Sequence, residues 1–113
     1  MAIKYLNSAA GIGASDLRGF FVGWPNPPSP AVHLKLLKNS DLVELAVDGR
    51  SGRVVGFVTA ITDKVLCAYI PFLEVLPEYQ GRGIGARLVK RMLRRLKGTY
   101  MVDLVCDPSL QKF

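Results

Sequence analysis

Apolar and basic residues follow a helical period in the second half of the chain. Between residues 82 and 97, apolar side chains recur every four positions with two more beside them, and basic residues fill most of the remaining positions. This spacing places the apolar side chains on one stripe of a helix. Gly98 follows, as is typical of a helix end. The pattern predicts an amphipathic helix whose apolar stripe contains Ile84, Leu88, Met92 and Leu96, with Val89 and Leu93 alongside.

Five other stretches are rich in apolar and β-branched residues, which favour strands. Two of them are separated only by the polar, glycine-containing segment at 48–52, as in a β-hairpin. The predicted strands cover residues 3–7, 42–48, 53–62, 65–75 and 100–106.

A proline interrupts the fourth predicted strand. Pro71 cannot donate a hydrogen bond to a neighbouring strand, so the stretch at 65–75 must be unpaired or bulged there. The last strand, 100–106, follows the amphipathic helix. A helical crossover predicts that it pairs in parallel with residues 73–75, through a right-handed connection.

The segment at 24–30 contains four prolines, which exclude a helix or a central strand. We expect a rigid loop that carries Trp24, with Phe20 and Phe21 just before it. Two interpretations stay open: these aromatic residues form one wall of a substrate pocket, or they fill the core.

Capping residues predict two helices before the hairpin. Ser29 and Pro30 suit the cap and first turn of a helix that runs to about Asn39. A shorter helix, capped by Ser15 or Asp16, is expected to reach about residue 21.

The mixture of strands and helices predicts an α/β (α+β) fold. At 113 residues, half of them hydrophobic, the chain is expected to form a single domain over residues 1–113. No apolar run approaches the roughly 18–20 residues that cross a bilayer. The N-terminal residues lack the apolar stretch of a secretory signal, so we expect a cytoplasmic protein.

The sequence contains few residues suited to metal or hydrolytic chemistry. Cys67 and Cys106 lie in separate apolar stretches without C-x-x-C spacing, and we expect both to be reduced core residues. His33 is the one histidine and has no nucleophile motif nearby, which disfavours a zinc site or a Ser-His-Asp hydrolase. We predict no metal site and an ordinary helical role for His33.

A glycine-rich turn at 81–85 opens the amphipathic helix. The first N–H groups of a helix lack partners, and the helix dipole makes that end partly positive. Glycine leaves these amides open to a phosphate. A net charge of +6 fits an anionic ligand. We expect Arg82 and Arg87 to meet it, and the basic side chains farther along the helix to be solvated.

The glycine spacing matches neither G-x-G-x-x-G nor G-x-x-x-x-G-K-[ST]. Residues 80–85 instead read Gln-x-x-Gly-x-Gly, and residues 73–77 read Leu-x-Val-x-Pro. This combination resembles the acetyl-coenzyme A-binding core of the GNAT superfamily of N-acetyltransferases. The resemblance covers residues 42–113 and, more loosely, 1–41. It implies a mixed, mostly antiparallel sheet flanked by helices, with a splayed central strand pair.

The resemblance also implies direct acetyl transfer from acetyl-CoA to a primary amine of a small molecule or peptide. The pyrophosphate would bind the amides of residues 82–86, and the pantetheine arm would pair with the backbone of residues 73–75. The Val75 amide would stabilise the oxyanion. Glu74 is the first candidate for the base, and Asp103 and Tyr69 are further candidates. The implied cofactor-binding residues are Leu73, Val75, Gln80, Gly81, Arg82, Gly83, Ile84, Gly85, Ala86 and Arg87.

The sequence departs from the family pattern after residue 106. Residues 107–113 resemble the start of a helix that, in GNAT proteins, leads to a tyrosine acid and a closing C-terminal hairpin, both absent here. The last predicted strand would then present an open edge, which is a template for pairing with another chain. We therefore predict a homodimer formed partly through this edge.

Two other functions stay open. Without the tyrosine and the hairpin, the domain could bind acyl-CoA without catalysing transfer. A basic nucleic-acid-binding domain is disfavoured, because the chain has no recognition motif and its aromatic residues do not interleave with the basic ones.

Overall fold

The computed structural model describes residues 2–104. Cys106 and the helix predicted from residue 107 lie outside the described residues. None of the helices within residues 2–104 has the length and apolar character that a bilayer span requires. Short 3₁₀ turns occur at Ala14–Leu17 and Pro77–Tyr79. The other elements are β1 (Ile3–Leu6), α1 (Pro30–Asn39), β2 (Leu42–Asp48), β3 (Val54–Thr62), β4 (Cys67–Ile70), β5 (Leu73–Val75), α2 (Ile84–Arg95) and β6 (Met101–Leu104).

The strands form one mostly antiparallel sheet that is flanked by helices, as predicted. Its order is β1-β2-β3-β4-β6, and β5 also pairs with β3. Neighbouring residues of β3 point to opposite faces: the Phe57 ring contacts His33 of α1, whereas a Cβ on Gly56 would lie 3.0 Å from Leu88 of α2. The two helices therefore cover opposite faces, which we call the α1 face and the α2 face.

The stretch predicted as one long strand is two strands, with Pro71 between them. Tyr69 of β4 lies opposite Ile61, whereas Leu73 of β5 lies opposite Val58. Three residues thus face two residues of β3, which is a one-residue bulge. The expected irregularity at the proline is confirmed. It separates the end of β4 from the start of β5.

β6 pairs with β4, so the prediction that it pairs with residues 73–75 is wrong. The parallel direction is confirmed, since Cys67 lies opposite Met101 and Ile70 opposite Leu104. Among residues 2–104, β5 pairs only with β3. The line of β4 and β5 therefore stays with β3, and the described residues of β6 lie beside its β4 half. The splay of the central strands stays a prediction, because the residues that follow Leu104 lie outside the described residues.

A buried ion-pair network fixes α2 to the sheet. The Glu44 side chain on β2 is 1% exposed and accepts hydrogen bonds from Arg91 Nε at 2.7 Å and Arg95 Nη1 at 2.8 Å. Arg95 also donates to the Val43 carbonyl at 2.7 Å. The expectation that the basic side chains far along the helix are solvated is wrong for these two arginines. Their long side chains lie along the sheet and reach a carboxylate on its α2 face.

Two smaller expectations are also corrected. Cys67 is exposed rather than buried, because the inward-facing residues of β4 are Ala68 and Ile70. The short helix expected to reach residue 21 is a 3₁₀ turn that ends at Leu17. Beyond it the backbone turns left-handed, with a φ of +94° at Gly19, so the helix cannot continue.

His33 lies in α1, as predicted, but it is buried in an aromatic cluster. Its ring centroid lies 5.1, 4.9 and 4.4 Å from those of Phe20, Phe21 and Phe57. Neither ring nitrogen has a hydrogen-bond partner among residues 2–104. Burial lowers the pKa of His33 from 6.5 to about 4, so the ring is neutral at pH 7.

We expect the protein to lose stability as the pH falls from about 6.5 to about 4. The pKa of His33 is depressed in the folded state, so the unfolded chain binds the proton first. The difference corresponds to a loss of about 3 kcal/mol in the free energy of unfolding. Urea unfolding at several pH values measures it. His33→Leu should flatten this part of the pH dependence, and an unchanged slope in that variant would contradict the assignment.

Candidate functional site

The backbone of β5 offers hydrogen-bonding groups on the side away from β3. Phe72 accepts from Thr59 N–H at 3.1 Å, and Leu76 donates to the Val55 carbonyl at 2.9 Å. Since strand backbone groups alternate in direction, the N–H and C=O groups of Leu73 and Val75 point to the opposite side. No strand within residues 2–104 pairs with that side. Among the described residues, this edge of β5 therefore has no partner strand at the place where the pantetheine arm was predicted.

The N-terminus of α2 follows this edge closely in the chain. Gly83 precedes the helix with a φ of +80° and offers no side-chain cap. A Cβ at Gly83 or at Gly81, whose φ is +78°, would strain the backbone but meet nothing within 4 Å, so both glycines border open space. The first intrahelical hydrogen bond runs from Arg87 N–H to the Gly83 carbonyl. The amides of residues 84–86 therefore lack intrahelical partners and can bind an anion.

Five predicted binding residues differ in how they can reach a ligand at this turn. Ile84 and Gly85 are buried, so they can reach a ligand only through their backbone. The guanidinium of Arg82 lies 5.6 Å from the ring centre of Tyr79, and that of Arg87 lies 5.6 Å from the ring centre of Tyr5. The side chains of Arg82 and Arg87 are exposed at the surface of the turn, and that of Ala86 is partly exposed.

Two hydrogen bonds hold the turn against the sheet. The Tyr79 hydroxyl donates to Asp48 at the end of β2, at 2.8 Å, and Gln80 Nε2 donates to the Val75 carbonyl at 2.9 Å. The amide of Arg50, and then the Tyr79 hydroxyl, lower the pKa of Asp48 below its usual value, so the acceptor stays ionised. Sequence reasoning missed the pair of Tyr79 and Asp48, because its members lie far apart in the chain and neither belongs to the motif.

Glu74 lies on the α1 face, away from Leu73 and Val75, as strand alternation predicted. Its Oε1 accepts a hydrogen bond from the Phe21 N–H at 2.9 Å, and its Oε2 accepts one from the Val22 N–H at 3.3 Å. Both oxygens of the first candidate base therefore already have a donor.

The bulge at Pro71 brings the other two candidate bases to the same face. Tyr69 lies opposite Ile61 and Glu74 opposite Phe57, and directly opposed residues share a face of the sheet. Asp103 lies beside Tyr69 on β6, and both are exposed. All three groups thus lie on the α1 face, although strict alternation along the chain would separate Tyr69 from Glu74.

The rest of the described surface adds no group for metal chemistry. A surface cavity of about 390 Å³ is lined in part by Asn7, Asp41 and Arg95, and none of the predicted site residues borders it. Within residues 2–104, no three His, Cys, Asp or Glu side chains are grouped to hold a metal ion.

Residues 12–112 match the family model described as the acetyltransferase (GNAT) family. Among curated proteins, the chain is 37% identical over 97 residues to an uncharacterized ycf52-like N-acetyltransferase of Prochlorococcus marinus, covering 81% of this chain and 53% of that protein. It is 26% identical to the uncharacterized N-acetyltransferase ycf52 of Porphyra purpurea, covering 96% of this chain and 66% of that protein. The chain thus spans about half to two thirds of the length of these relatives.

Solved structures show the same similarity. A Deinococcus radiodurans R1 protein classed with acetyltransferases superimposes with a TM-score of 0.91 and 39% identity, over 96% of this chain and 76% of that one. A GNAT family protein from Streptococcus pneumoniae TIGR4 gives a TM-score of 0.75 and 29% identity, over 97% of this chain and 80% of that one.

Proposed function

Because the chain belongs to the GNAT acetyltransferase family, we propose that it is an N-acetyltransferase that uses acetyl-CoA to acetylate a primary amine of a small molecule or peptide. The observation that carries this proposal is the adjacency of two sets of backbone groups that a ligand can reach. One is the edge of β5 at Leu73 and Val75, which has no partner strand within residues 2–104, and the other is the set of amides at the start of α2. Together they suit a ligand that has an extended amide-containing arm and a phosphate group.

In this proposal the cofactor occupies the splay between β5 and β6. Its pyrophosphate binds the amides of residues 82–86, beside Gly81, Arg82 and Arg87. Its pantetheine arm pairs with Leu73 and Val75 as an added strand would. Gln80 supports this strand through its hydrogen bond to the Val75 carbonyl. The acetyl group then lies near the Val75 N–H.

The acetyl transfer needs an oxyanion donor and two proton movements. The amine nitrogen attacks the thioester carbonyl carbon, the C–S bond breaks, the nitrogen loses a proton and the coenzyme A thiolate gains one. The Val75 N–H is the proposed donor to the carbonyl oxygen, and such a donor contributes roughly 3 to 4 kcal/mol to this kind of step. Glu74, Tyr69 and Asp103 are the candidates for accepting the amine proton, and they lie on the α1 face, from which the amine would approach.

Calorimetric titration with acetyl-CoA, followed by mass spectrometry of an amine panel, tests the proposal. Saturable binding and an acetylated product are the expected results. Binding without any product would instead favour the second candidate, an acyl-CoA-binding module without chemistry. Absence of binding would reject both.

A nucleic-acid-binding function is less consistent with the structure than with the sequence. Arg91 and Arg95, which contribute to the basic surface of α2, pair with the buried Glu44. Fewer cations therefore remain for phosphate groups of a nucleic acid. Salt-dependent DNA binding at moderate ionic strength would revive this function.

We also propose that the protein is a cytoplasmic homodimer. An exposed free thiol at Cys67 suits a reducing compartment. The β6 region carries exposed apolar side chains, namely Tyr100, Met101 and Val102, which are 82%, 54% and 37% exposed. Such surface favours contact with a second copy. Sedimentation at tens of micromolar should show a dimer, and a monomer at that concentration would contradict this.

A further inference from the structure

The carboxylate of Glu74 lies in a site built from two successive backbone amides. These amides belong to Phe21 and Val22, and they donate to the two different carboxylate oxygens at 2.9 and 3.3 Å. Consecutive N–H groups that converge in this way form a concave binding site for an anion. Phe21 and Glu74 are 53 residues apart in the chain, so the contact joins the loop at residues 18–24 to β5.

The loop adopts an unfavourable conformation where Glu74 binds it. Phe21 has a φ of +62°, which is rare for a bulky residue that is not glycine. Gly19 and Gly23 on either side have φ values of +94° and +84°. A backbone strained at one residue persists only where its surroundings hold it. The two hydrogen bonds that Glu74 accepts are such a restraint, and they require both of its oxygens.

This conformation sets the position of Trp24. The backbone N–H of Trp24 donates to the backbone carbonyl of Phe21 at 3.2 Å, which closes a tight turn from Phe21 to Trp24. The indole then lies with its centroid 5.0 Å from that of Phe21 and 6.3 Å from that of Phe72, the residue just before β5. Trp24 remains 46% exposed, so its ring forms an accessible wall rather than part of the core.

We propose that Glu74 is a positioning residue, which holds the loop at residues 18–24 and thereby places Trp24 as an aromatic wall beside β5. This inference rests on the proposed acetyl transfer, in which the amine approaches from the α1 face. In this role both oxygens of Glu74 accept hydrogen bonds from the loop. The group that accepts the amine proton is then Tyr69, Asp103 or water. It also decides between the two roles that the sequence left open for the aromatic residues: Phe21 is buried in the core, and Trp24 faces outward.

Two substitutions separate a positioning role from a general-base role. Glu74→Gln keeps the shape and one acceptor oxygen, which can still serve the Phe21 N–H, but places an NH₂ group toward Val22. Glu74→Ala removes both acceptors. A general base contributes about 10²–10⁴-fold to a rate, so Glu74→Gln should abolish most of kcat if Glu74 is the base. A positioning residue tolerates glutamine far better than alanine.

The first readouts need no amine substrate. Trp24 is the single tryptophan of the chain, so its fluorescence reports on the loop alone. We expect Glu74→Ala to shift its emission to longer wavelength and to abolish the hydrogen-exchange protection of the Phe21 and Val22 amides. Glu74→Gln should lose protection at Val22 only. Emission and exchange unchanged in Glu74→Ala would overturn the proposal, and if that variant does not fold, the split between the two amides in Glu74→Gln decides the question.

Kinetics with 2-phenylethylamine as the acceptor give the second readout. We expect kcat of Glu74→Gln to stay within about fivefold of the wild type, and the acceptor KM of Glu74→Ala to rise about tenfold at an unchanged affinity for acetyl-CoA. Trp24→Ala should raise the same KM while keeping kcat. A hundredfold loss of kcat in Glu74→Gln, with Trp24 emission unchanged, would establish the base role instead. Failure of the wild type to bind acetyl-CoA would reject the proposed function and leave the fluorescence and exchange results to judge the loop contact.

Discussion

Replacing Gly83 with valine should lower the affinity of the protein for acetyl-CoA at least 100-fold. Gly83 precedes α2 with a φ of +80° and borders open space, where the phosphates are proposed to lie. A branched side chain there both disfavours the left-handed backbone and occupies the approach to the amides. Losing two hydrogen bonds to a charged group costs about 3 to 6 kcal/mol, which corresponds to a hundredfold or more. Isothermal titration calorimetry measures the loss.

Gly11 provides a matched control for the strain itself. Its φ is also +80°, a Cβ there would likewise meet nothing within 4 Å, and it borders the cavity that contains no predicted site residue. Gly11→Val should therefore destabilise the fold by about as much as Gly83→Val, about 1 to 2 kcal/mol, while leaving the affinity for acetyl-CoA unchanged. Equal losses of affinity in both variants would show that the effect comes from folding and not from the turn.

Replacing Arg95 with alanine should lower the free energy of unfolding by about 3 kcal/mol. The change leaves the Glu44 carboxylate, which is 1% exposed, with Arg91 alone, and it leaves the Val43 carbonyl without its donor. Breaking a buried ion pair typically costs about 3 to 5 kcal/mol. We expect the lower end because the Arg95 side chain is 30% exposed, so water can partly replace it. Urea unfolding at pH 7 measures the difference.

The neighbouring Arg94 offers a control with the same change in charge. Arg94 is exposed on α2, so Arg94→Ala should change the free energy of unfolding by less than about 0.5 kcal/mol. A loss of similar size in both variants would indicate that net charge or helix propensity matters more than the contact with Glu44. Because α2 follows directly on the proposed anion-binding turn, Arg95→Ala should also weaken acetyl-CoA binding, but less than Gly83→Val does.

Local patterns in the sequence predicted most of the elements and the turn of the candidate site. The period of Ile84, Leu88 and Met92 identified α2, and Ser29 with Pro30 marked the start of α1. These signals act between residues close in the chain, so one sequence suffices to detect them. The glycine spacing and the preceding strand then identified the family. The binding roles of the residues in that turn stay predictions until a ligand is titrated.

Contacts between distant residues were not predictable in the same way. Nothing near Glu44 in the chain distinguishes it from a solvent-exposed strand residue, and its burial follows from where α2 crosses the sheet. The pairing of β6 with β4 also depends on contacts between distant parts of the chain. Pro71 predicted an irregularity in the strand. Only the register of β4 and β5 against β3 shows that one extra residue divides the stretch into two strands.

The class of fold, the amphipathic helix and the glycine turn that opens it follow from spacing along the chain, which a single sequence shows. The packing of the whole domain brings distant groups together. It paired Glu44 with two arginines, surrounded His33 with aromatic rings, and directed both oxygens of Glu74 to the amides of a loop more than 50 residues away. A carboxylate has the same sequence signature whether it takes a proton or holds a backbone. Its partners distinguish the two roles, and these are set by the packing of the whole domain.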